Sequence, residues 1–183
     1  MAYPITKFWF YPLCAIALRK IRGIGNIPKT PFIIVSNHEH LADPLYILFP
    51  ILRKLDKKVH FVATPAWWFL GDRICRGWAG CIPLFDSRQA YHEAKKLVKS
   101  GEIVGIFPEG HLELKIRHSK TGAVRLAAET NTPILPIGIK SSYIPFSSTV
   151  NIGKLVYIKN CRNPGKQTGE LMKSIYRLRD SPC

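Results

Sequence analysis

Short apolar segments alternate along the chain with longer segments in which apolar residues recur at helical spacing. The apolar segments resemble buried strands in length and composition. They predict strands at "FIIV" (32–35), "VHFVA" (59–63), "CIPLF" (81–85), "EIVGIF" (102–107), "PILPIGI" (133–139) and "KLVYI" (154–158). Helices are predicted over 44–55, about 66–77, 87–100, 120–130 and 168–179.

This alternation predicts one α/β domain with a mainly parallel sheet covered by helices. Near-continuous apolar strands indicate burial on both faces, and 183 residues suffice for one substantial core but not for two. In such sheets, ligands bind beyond the carboxyl ends of the strands. The polar clusters "SNHEHLAD", "DSR" and "PEGH" each follow a predicted strand, so we expect them to converge on one side of the sheet.

The N-terminal segment "FWFYPLCAIAL" (8–18) is apolar and aromatic, with basic residues at both ends. It contains Pro12 and is shorter than the about 18 apolar residues that a membrane span needs. The basic cluster that follows is also unfavourable for a cleaved export signal. We therefore predict that residues 1–30 are an interfacial anchor with an amphipathic helix on a membrane surface, and that 31–183 form the α/β domain.

The charge is strongly asymmetric, with 27 Lys and Arg against 12 Asp and Glu, a formal net charge of +15. Residues 1–30 carry five bases and no acid, and residues 140–183 carry eight bases against two acids. The excess therefore lies mostly at the two ends, where it suits nucleic acid, anionic lipid or a phosphorylated substrate. A solvated basic surface without a partner is the simpler alternative.

The five cysteines include no CxxC pair. The odd count and the spacing argue against a zinc ribbon and against a disulfide framework. They favour a reducing compartment for the protein.

The densest polar cluster is "IIVSNHEHLADPL" (33–45), which contains His38, His40 and Asp43. His38 and Asp43 are five residues apart, which is about 140° around a helix, so only a turn would bring them together. Three functions fit. Asp43 could cap a helix that begins at Pro44, the three residues could bind a metal, or Asp43 could orient His38 for proton transfer.

A second cluster, "GIFPEGH" (105–111), makes the pattern specific. Asn37-His38, four residues and then Asp43 are followed about 65 residues later by Phe107-Pro108-Glu109-Gly110 and then by Leu135-Pro136-Ile137-Gly138. In this order and spacing, the chain resembles the glycerolipid acyltransferase family, which includes the lysophosphatidate acyltransferases. The resemblance covers roughly residues 30 to 140 and implies a glycerol-3-phosphate acyltransferase-like fold.

The resemblance implies transfer of a fatty acyl group from acyl-CoA or acyl carrier protein to a hydroxyl, with 1-acyl-sn-glycerol 3-phosphate as the expected acceptor in phospholipid synthesis. His38 would take the hydroxyl proton and Asp43 would orient His38. Neither motif contains a Ser or Cys nucleophile, so we expect direct transfer. No metal or redox cofactor is implied. The expected partners are membrane lipids, without nucleic acid, at the cytoplasmic face of a membrane.

By resemblance, the substrate-binding residues are Asn37, Phe107, Pro108, Glu109 and Gly110. The chain departs from the family in the second motif, where "GCIPLFDSR" (80–88) has Asp86 in place of an arginine. After the third motif, His111-Leu112-Glu113 stand where Thr-Arg-Ser is commoner. Both departures remove a cation expected to bind the phosphate of the acceptor. Its replacement is expected among Arg88, Lys120, Lys115, Arg117 and Arg125.

Two other functions stay open on the sequence. A metal-dependent hydrolase would use His38, His40 and Asp43, although the chain is too short for the amidohydrolase barrel of about 250 residues. A basic binding protein for nucleic acid or anionic lipid would use aromatic residues set among arginines, and the same residues suit a membrane interface. They are Trp67, Trp68, Phe69, Trp78, Arg73 and Arg76.

Overall fold

Seven strands and five α-helices lie in the part of the chain that the computed structural model describes, residues 7–64, 71–110 and 119–181. The strands are β1 (Leu18–Arg22), β2 (Ile33–Ser36), β3 (Val59–Ala63), β4 (Ile82–Pro83), β5 (Ile103–Ile106), β6 (Ile134–Lys140) and β7 (Ser148–Ile152). The α-helices are α1 (Lys7–Ala17), α2 (Asp43–Leu55), α3 (Ser87–Lys99), α4 (Gly122–Thr130) and α5 (Pro164–Asp180).

The strands form one sheet in the order β1-β7-β6-β2-β5-β3-β4. Neighbouring strands are parallel at every pairing except that of β6 with β7, which is antiparallel. Apolar residues of the helices cover both faces of the sheet. The prediction of a single α/β domain with a mainly parallel, helix-covered sheet is confirmed.

β2 lies at the centre of the sheet, and all of its residues are buried. Ile34 packs on one face with α1 and α2, whose side chains there include Phe10 and Ile47. Ile33 and Val35 pack on the other face with α3, α4 and α5. Successive side chains of a strand point to opposite faces, so the uninterrupted apolar run of β2 reflects burial on both faces.

The carboxyl ends of β5, β2 and β6 open on one edge of the sheet, because the three strands are adjacent and parallel. Val35 of β2 pairs with Ile106 of β5 and with Pro136 of β6. The "NHEHLAD" turn and the "FPEG" segment therefore lie side by side at that edge. The "DSR" segment follows β4, which is separated from β2 by β3 and β5.

The strand predicted at 154–158 is wrong. Within that segment only Val156 pairs, through an isolated antiparallel bridge to Ile134 at the start of β6. The strand next to β6 is instead β7, and the strand beyond it is β1, which follows α1 directly. Neither strand is apparent in the sequence, because β1 is mostly basic and β7 is largely polar.

α5 lies directly on β6 at Gly138. A Cβ atom at this position would lie 2.2 Å from the backbone nitrogen of Arg179 and 2.7 Å from the carbonyl oxygen of Ile175. Only glycine permits so close an approach of two backbones. The last turns of α5 consequently reach the edge of the sheet where the polar motifs meet.

The predicted N-terminal helix is present as α1. Its Phe10 and Cys14 are buried in the core, whereas Phe8, Leu13 and Ile16 are exposed. Within residues 7–64, 71–110 and 119–181, no helix is long and apolar enough to cross a bilayer. The division of the chain into an anchor and an α/β domain stays a prediction.

Some predicted residues lie outside the described ranges. Of the helix predicted over 66–77, the described part includes a π-helical turn, Arg73–Trp78. Outside those ranges lie Trp67, Trp68, Phe69, His111, Lys115 and Arg117.

Candidate active site

His38 and Asp43 form a hydrogen-bonded pair at the carboxyl end of β2. Nδ1 of His38 lies 2.9 Å from Oδ2 of Asp43. The Asp43 side chain is fully buried, whereas that of His38 is 17% exposed. No residue in the described ranges hydrogen-bonds to Nε2 of His38. The carboxylate thus holds Nδ1, and Nε2 remains available to accept a proton from a bound substrate.

Asp43 closes the turn that precedes α2. Its Oδ2 also accepts hydrogen bonds from the backbone N–H groups of Glu39 (2.6 Å) and His40 (2.9 Å). The alternative in which Asp43 caps a helix that begins at Pro44 is not observed, because Ala42 occupies the cap position and the helix begins at Asp43 itself. The carboxylate faces back toward the turn, and it thereby fixes the position of His38.

The ring of His38 is stacked on Phe107, with ring centroids 4.2 Å apart and planes inclined by 20°. Phe107 is stacked in turn on Phe61 of β3, with centroids 5.6 Å apart. Phe107 opens the "FPEG" segment directly after β5. The first and third motifs are thus joined through an aromatic contact that limits the rotation of the His38 ring.

Glu109 of the "FPEG" segment contacts the same turn. Its Oε2 accepts a hydrogen bond from the backbone N–H of His38 at 3.4 Å, and its Oε1 accepts one from the hydroxyl of Tyr176 at 2.5 Å. Burial raises the pKa of the Glu109 carboxyl, while the hydrogen bonds from Tyr176 and His38 act in the opposite direction. Burial is the largest cause that raises the pKa of Tyr176, and the hydrogen bond to Glu109 raises it further.

Two side chains of α5 complete this network and were not anticipated from the sequence. Tyr176 binds Glu109, and Arg179 forms an ion pair with Glu39 in the turn, with 2.5 Å between Nε and Oε1. The Arg179 guanidinium also lies 5.7 Å from the centroid of the Tyr176 ring. Their i, i+3 spacing places both on one helix face, but their partners lie far away in sequence, so no local pattern marks them.

Asn37 lies in the interior. The residue is 1% exposed. Its side-chain amide donates to the carbonyl of Ile139 at 2.8 Å and accepts from the backbone N–H of Ile139 at 2.9 Å. These bonds extend the pairing of β2 and β6 beyond Ser36 and so position the residue that follows, His38. The predicted contact of Asn37 with substrate stays a prediction.

Gly110 ends the "FPEG" segment with φ of 71°, in the left-handed region that glycine adopts readily. Lys120 lies over it, because a Cβ atom at Gly110 would lie 3.4 Å from Nζ of Lys120. The backbone N–H of Lys120 donates to the carbonyl of the buried Pro108 at 2.8 Å. Lys120 is thus a cation that the fold brings to the third motif.

Arg88 lies farther along the sheet. It is exposed on the first turn of α3, after the edge strand β4. The carboxylate of Asp86 accepts hydrogen bonds from the backbone N–H groups of Arg88 (3.1 Å) and Gln89 (3.2 Å). Asp86 therefore caps α3.

No metal-binding group of three or more His, Cys, Asp or Glu side chains is formed by the described residues. His40 contacts Asp43 through its backbone N–H, and its ring lies against Tyr143, with centroids 4.7 Å apart. Of the two histidines in the turn, His38 joins its ring to the Asp43 carboxylate, as the proton-transfer interpretation requires.

Comparison with known proteins decides the family. A family model described as "Acyltransferase" matches residues 19–140, which include both the His38 turn and the "FPEG" segment. The chain belongs to the acyltransferase family. The resemblance identified in the sequence is therefore confirmed. Acyltransferases of this family act on lipid substrates and generally need no metal cofactor.

Several acyltransferases are similar in sequence. A chloroplastic 1-acyl-sn-glycerol-3-phosphate acyltransferase of Brassica napus is 32% identical over 149 residues, which are 73% of this chain and 40% of that protein. A 1-acyl-sn-glycerol-3-phosphate acyltransferase of Borreliella burgdorferi is 30% identical over 154 residues, 75% of this chain and 58% of that protein. The chain thus spans about half the length of the curated relatives it matches.

A solved acyltransferase shares the fold. The crystal structure of the 1-acyl-sn-glycerophosphate acyltransferase PlsC of Thermotoga maritima matches with a TM-score of 0.70 and 24% identity. The match covers 93% of this chain and 73% of that one. α5 is part of the described fold but lies beyond residues 19–140, so Tyr176 and Arg179 are contributed from outside the family match.

Proposed function

We propose that this chain transfers a fatty acyl group from an acyl thioester, acyl-CoA or acyl carrier protein, to the free hydroxyl of 1-acyl-sn-glycerol 3-phosphate in phospholipid synthesis. The observation that carries the proposal is the His38–Asp43 pair. The Asp43 carboxylate is fully buried, and Nε2 of His38 has no hydrogen-bond partner among the described residues. The pair lies within residues 19–140, which match the acyltransferase family model. The names of the relatives support this choice of acceptor.

In the proposed reaction, Nε2 of His38 takes the proton of the acceptor hydroxyl as its oxygen attacks the thioester carbonyl. The carbonyl oxygen gains the negative charge in a tetrahedral intermediate. When this collapses, the carbon–sulfur bond breaks, and His38 returns the proton to the leaving thiolate. Asp43 holds the ring in the required tautomer and stabilises its transient positive charge.

The remaining contacts support positioning of His38. Phe107 stacks on the ring, Asn37 anchors the backbone just before it, and Glu109 accepts its backbone N–H. Each contact limits a different movement of the imidazole, which favours a near-attack geometry. We assign Tyr176 and Arg179 as positioning residues, since they hold Glu109 and Glu39 rather than facing the open side of His38.

We also propose that the protein associates with the cytoplasmic face of a membrane, through α1 and the basic surface, without binding nucleic acid. The acyl products of this reaction partition into a bilayer, and α1 presents exposed apolar side chains beside an acid-free basic N-terminal segment. Co-sedimentation with anionic liposomes and a gel shift with short oligonucleotides distinguish lipid from nucleic acid.

A single assay tests the proposed reaction. Purified protein is incubated with acyl-CoA or acyl carrier protein thioester and a panel of acceptors, and the released thiol is measured. Thiol release that depends on 1-acyl-sn-glycerol 3-phosphate supports the proposal. Release that is independent of any acceptor indicates a thioesterase, and release only with lysolipids that lack a phosphomonoester would change the acceptor.

Lys120→Ala is expected to raise the KM for a phosphate-bearing acceptor about ten- to a hundredfold, with a small effect on the KM for the thioester. One charge-assisted contact to phosphate contributes about 1.5–3 kcal/mol. Arg88→Ala, tested in parallel, shows whether the second-motif cation shares this role. Lys99→Ala at the exposed end of α3 is the matched control. Equal losses with a lysolipid lacking the phosphomonoester would exclude phosphate binding by these residues.

Tyr176→Phe is expected to destabilise the protein by about 1.5–3 kcal/mol at pH 8, and by less at pH 4. The lost hydroxyl stabilises ionised Glu109, so its removal raises the pKa of Glu109 further. A carboxyl whose pKa is higher in the folded than in the unfolded protein binds more protons in the folded state. The stability of the variant therefore falls as the pH rises from the unfolded pKa through the folded pKa of Glu109. Urea unfolding at both pH values measures the effect, with the exposed Tyr157→Phe as control. A pH-independent loss would contradict the bond to the carboxylate.

A further inference from the structure

The loop between β6 and β7, residues 141–147, holds three large apolar side chains in solvent. Tyr143, Ile144 and Phe146 are 70%, 69% and 61% exposed. We call these three residues the loop tip. The tip lies at the rim of the active-site turn, because the Tyr143 ring packs against the ring of His40. So much exposed apolar surface beside the turn that carries His38 requires an explanation.

Hydrogen bonds at both ends of the loop fix its position and keep the loop tip exposed. The backbone N–H of Ser141 donates to Oε2 of Glu39 in the active-site turn at 3.0 Å. Ser142 and Ser148 exchange two hydrogen bonds of 3.0 Å across the base of the loop. The backbone N–H of Phe146 donates to the carbonyl of Ile16 in α1 at 2.8 Å.

Phe146 also occupies an unfavourable backbone conformation. Its φ of 56° lies in the left-handed region, which a residue with a bulky side chain rarely adopts. A glycine or asparagine would satisfy this backbone more easily. A large aromatic side chain, presented to solvent in this conformation, indicates that the ring itself has a function there.

The surroundings of the loop tip are apolar and basic. The bond from Phe146 joins the tip to α1, whose Leu13 and Ile16 are exposed. Lys140 pairs with Thr149, and Thr149 pairs with Lys20, so two exposed lysines lie in one row across the sheet directly behind the loop. Neither residues 1–30 nor residues 140–154 contain an acidic residue. Apolar side chains in front of cations match the acyl region and the headgroups of an anionic bilayer.

We propose that the loop tip inserts into the surface of an anionic lipid bilayer and holds the active-site turn against it. Because Ser141 and Tyr143 contact Glu39 and His40, insertion of the tip orients the open side of His38 relative to the lipid surface. A lipid acceptor then reaches His38 without leaving the bilayer. This last step rests on the proposed function, whereas the insertion itself does not.

The test is vesicle co-sedimentation of the full chain with phosphatidylglycerol–phosphatidylcholine vesicles. The double variant Tyr143→Ser/Ile144→Ser is expected to partition about tenfold or more weakly than the wild type, because two large apolar side chains no longer enter the lipid. Phe146→Asn is expected to weaken binding without loss of thermal stability, since asparagine tolerates the left-handed backbone.

Tyr157→Ser is the matched control. Tyr157 is 63% exposed and follows Val156, which pairs with the start of β6, at the opposite end of that strand from the loop. Its substitution is expected to leave vesicle binding unchanged. Vesicle binding that is equal in the double variant and the wild type would overturn the proposal. The proposal would also be overturned if the double variant differed from the wild type in oligomeric state without vesicles, because the tip would then be a protein–protein contact.

Activity separates this proposal from the proposed function. The double variant is expected to lose acyl transfer to a vesicle-embedded acceptor while it keeps transfer to a short-chain, water-soluble one. If the wild type transfers acyl groups to neither acceptor but the loop variants still reduce vesicle binding, the proposed reaction is wrong and membrane insertion of the loop tip stands.

Discussion

His38→Ala is expected to lower kcat for acyl transfer by about 10²–10⁴-fold, the usual contribution of a positioned general base. An alcohol is a weak nucleophile at neutral pH. Nδ1 of His38 is held by a buried carboxylate, and Nε2 has no hydrogen-bond partner among the described residues. The KM for each substrate is expected to change little, because the base acts mainly in the transition state.

His40→Ala is the control for this loss. His40 contributes its backbone N–H to Asp43, which alanine retains, and its ring lies against Tyr143 instead of Asp43. Most of the activity is therefore expected to survive. Equal losses in the two variants, together with inactivation of the wild type by a chelator and recovery with Zn²⁺, would refute the proton-transfer pair and support a metal site.

Asp43→Asn is expected to lower kcat by about 10²–10⁴-fold while the fold is retained. The carboxamide oxygen can still accept the backbone N–H groups of Glu39 and His40, which hold the turn. In that orientation the same oxygen still accepts from Nδ1 of His38, but it carries no charge to stabilise the imidazolium. Steady-state kinetics and thermal unfolding of the same preparation measure both effects.

Asp43→Ala separates the chemical role of the carboxylate from its structural one. Alanine leaves the backbone N–H groups of Glu39 and His40 without the oxygen that they bind, and each buried donor without a partner costs about 1–3 kcal/mol. Asp43→Ala is thus expected to lose stability as well as activity. If Asp43→Asn were as unstable as Asp43→Ala, or nearly as active as the wild type, the assigned role of Asp43 would be wrong.

The hydrogen-bonded pair of His38 and Asp43 could be predicted because its determinants are local. His38 and Asp43 lie within one turn, and the carboxyl end of β2 is marked by an apolar run that stops at Ser36. The same reasoning placed Phe107 and Glu109 after β5, and parallel strands then brought the two motifs to one edge. Hydrophobic patterning is sufficient here because burial on both faces leaves a continuous apolar signal.

The supporting contacts could not be predicted, because each joins residues that are remote in sequence. Tyr176 bonds to Glu109, Asn37 bonds to Ile139, and Arg179 pairs with Glu39. A tyrosine or arginine on a helix has the same local pattern whether it faces solvent or a carboxylate. Only the close packing of α5 on β6 determines which.

By itself, the sequence determined the α/β class, the pairing of His38 with Asp43 and the convergence of two motifs, since these follow from periodicity and from groups a few residues apart. Only the tertiary structure decided which polar residues are buried and which apolar residues are exposed. Asn151 is buried in β7 because its amide donates to the carbonyl of Leu178, whereas Tyr143 and Ile144 are exposed because the loop is hydrogen-bonded away from the core. Burial of a polar group or exposure of an apolar one depends on partners across the fold, and local composition does not encode those partners.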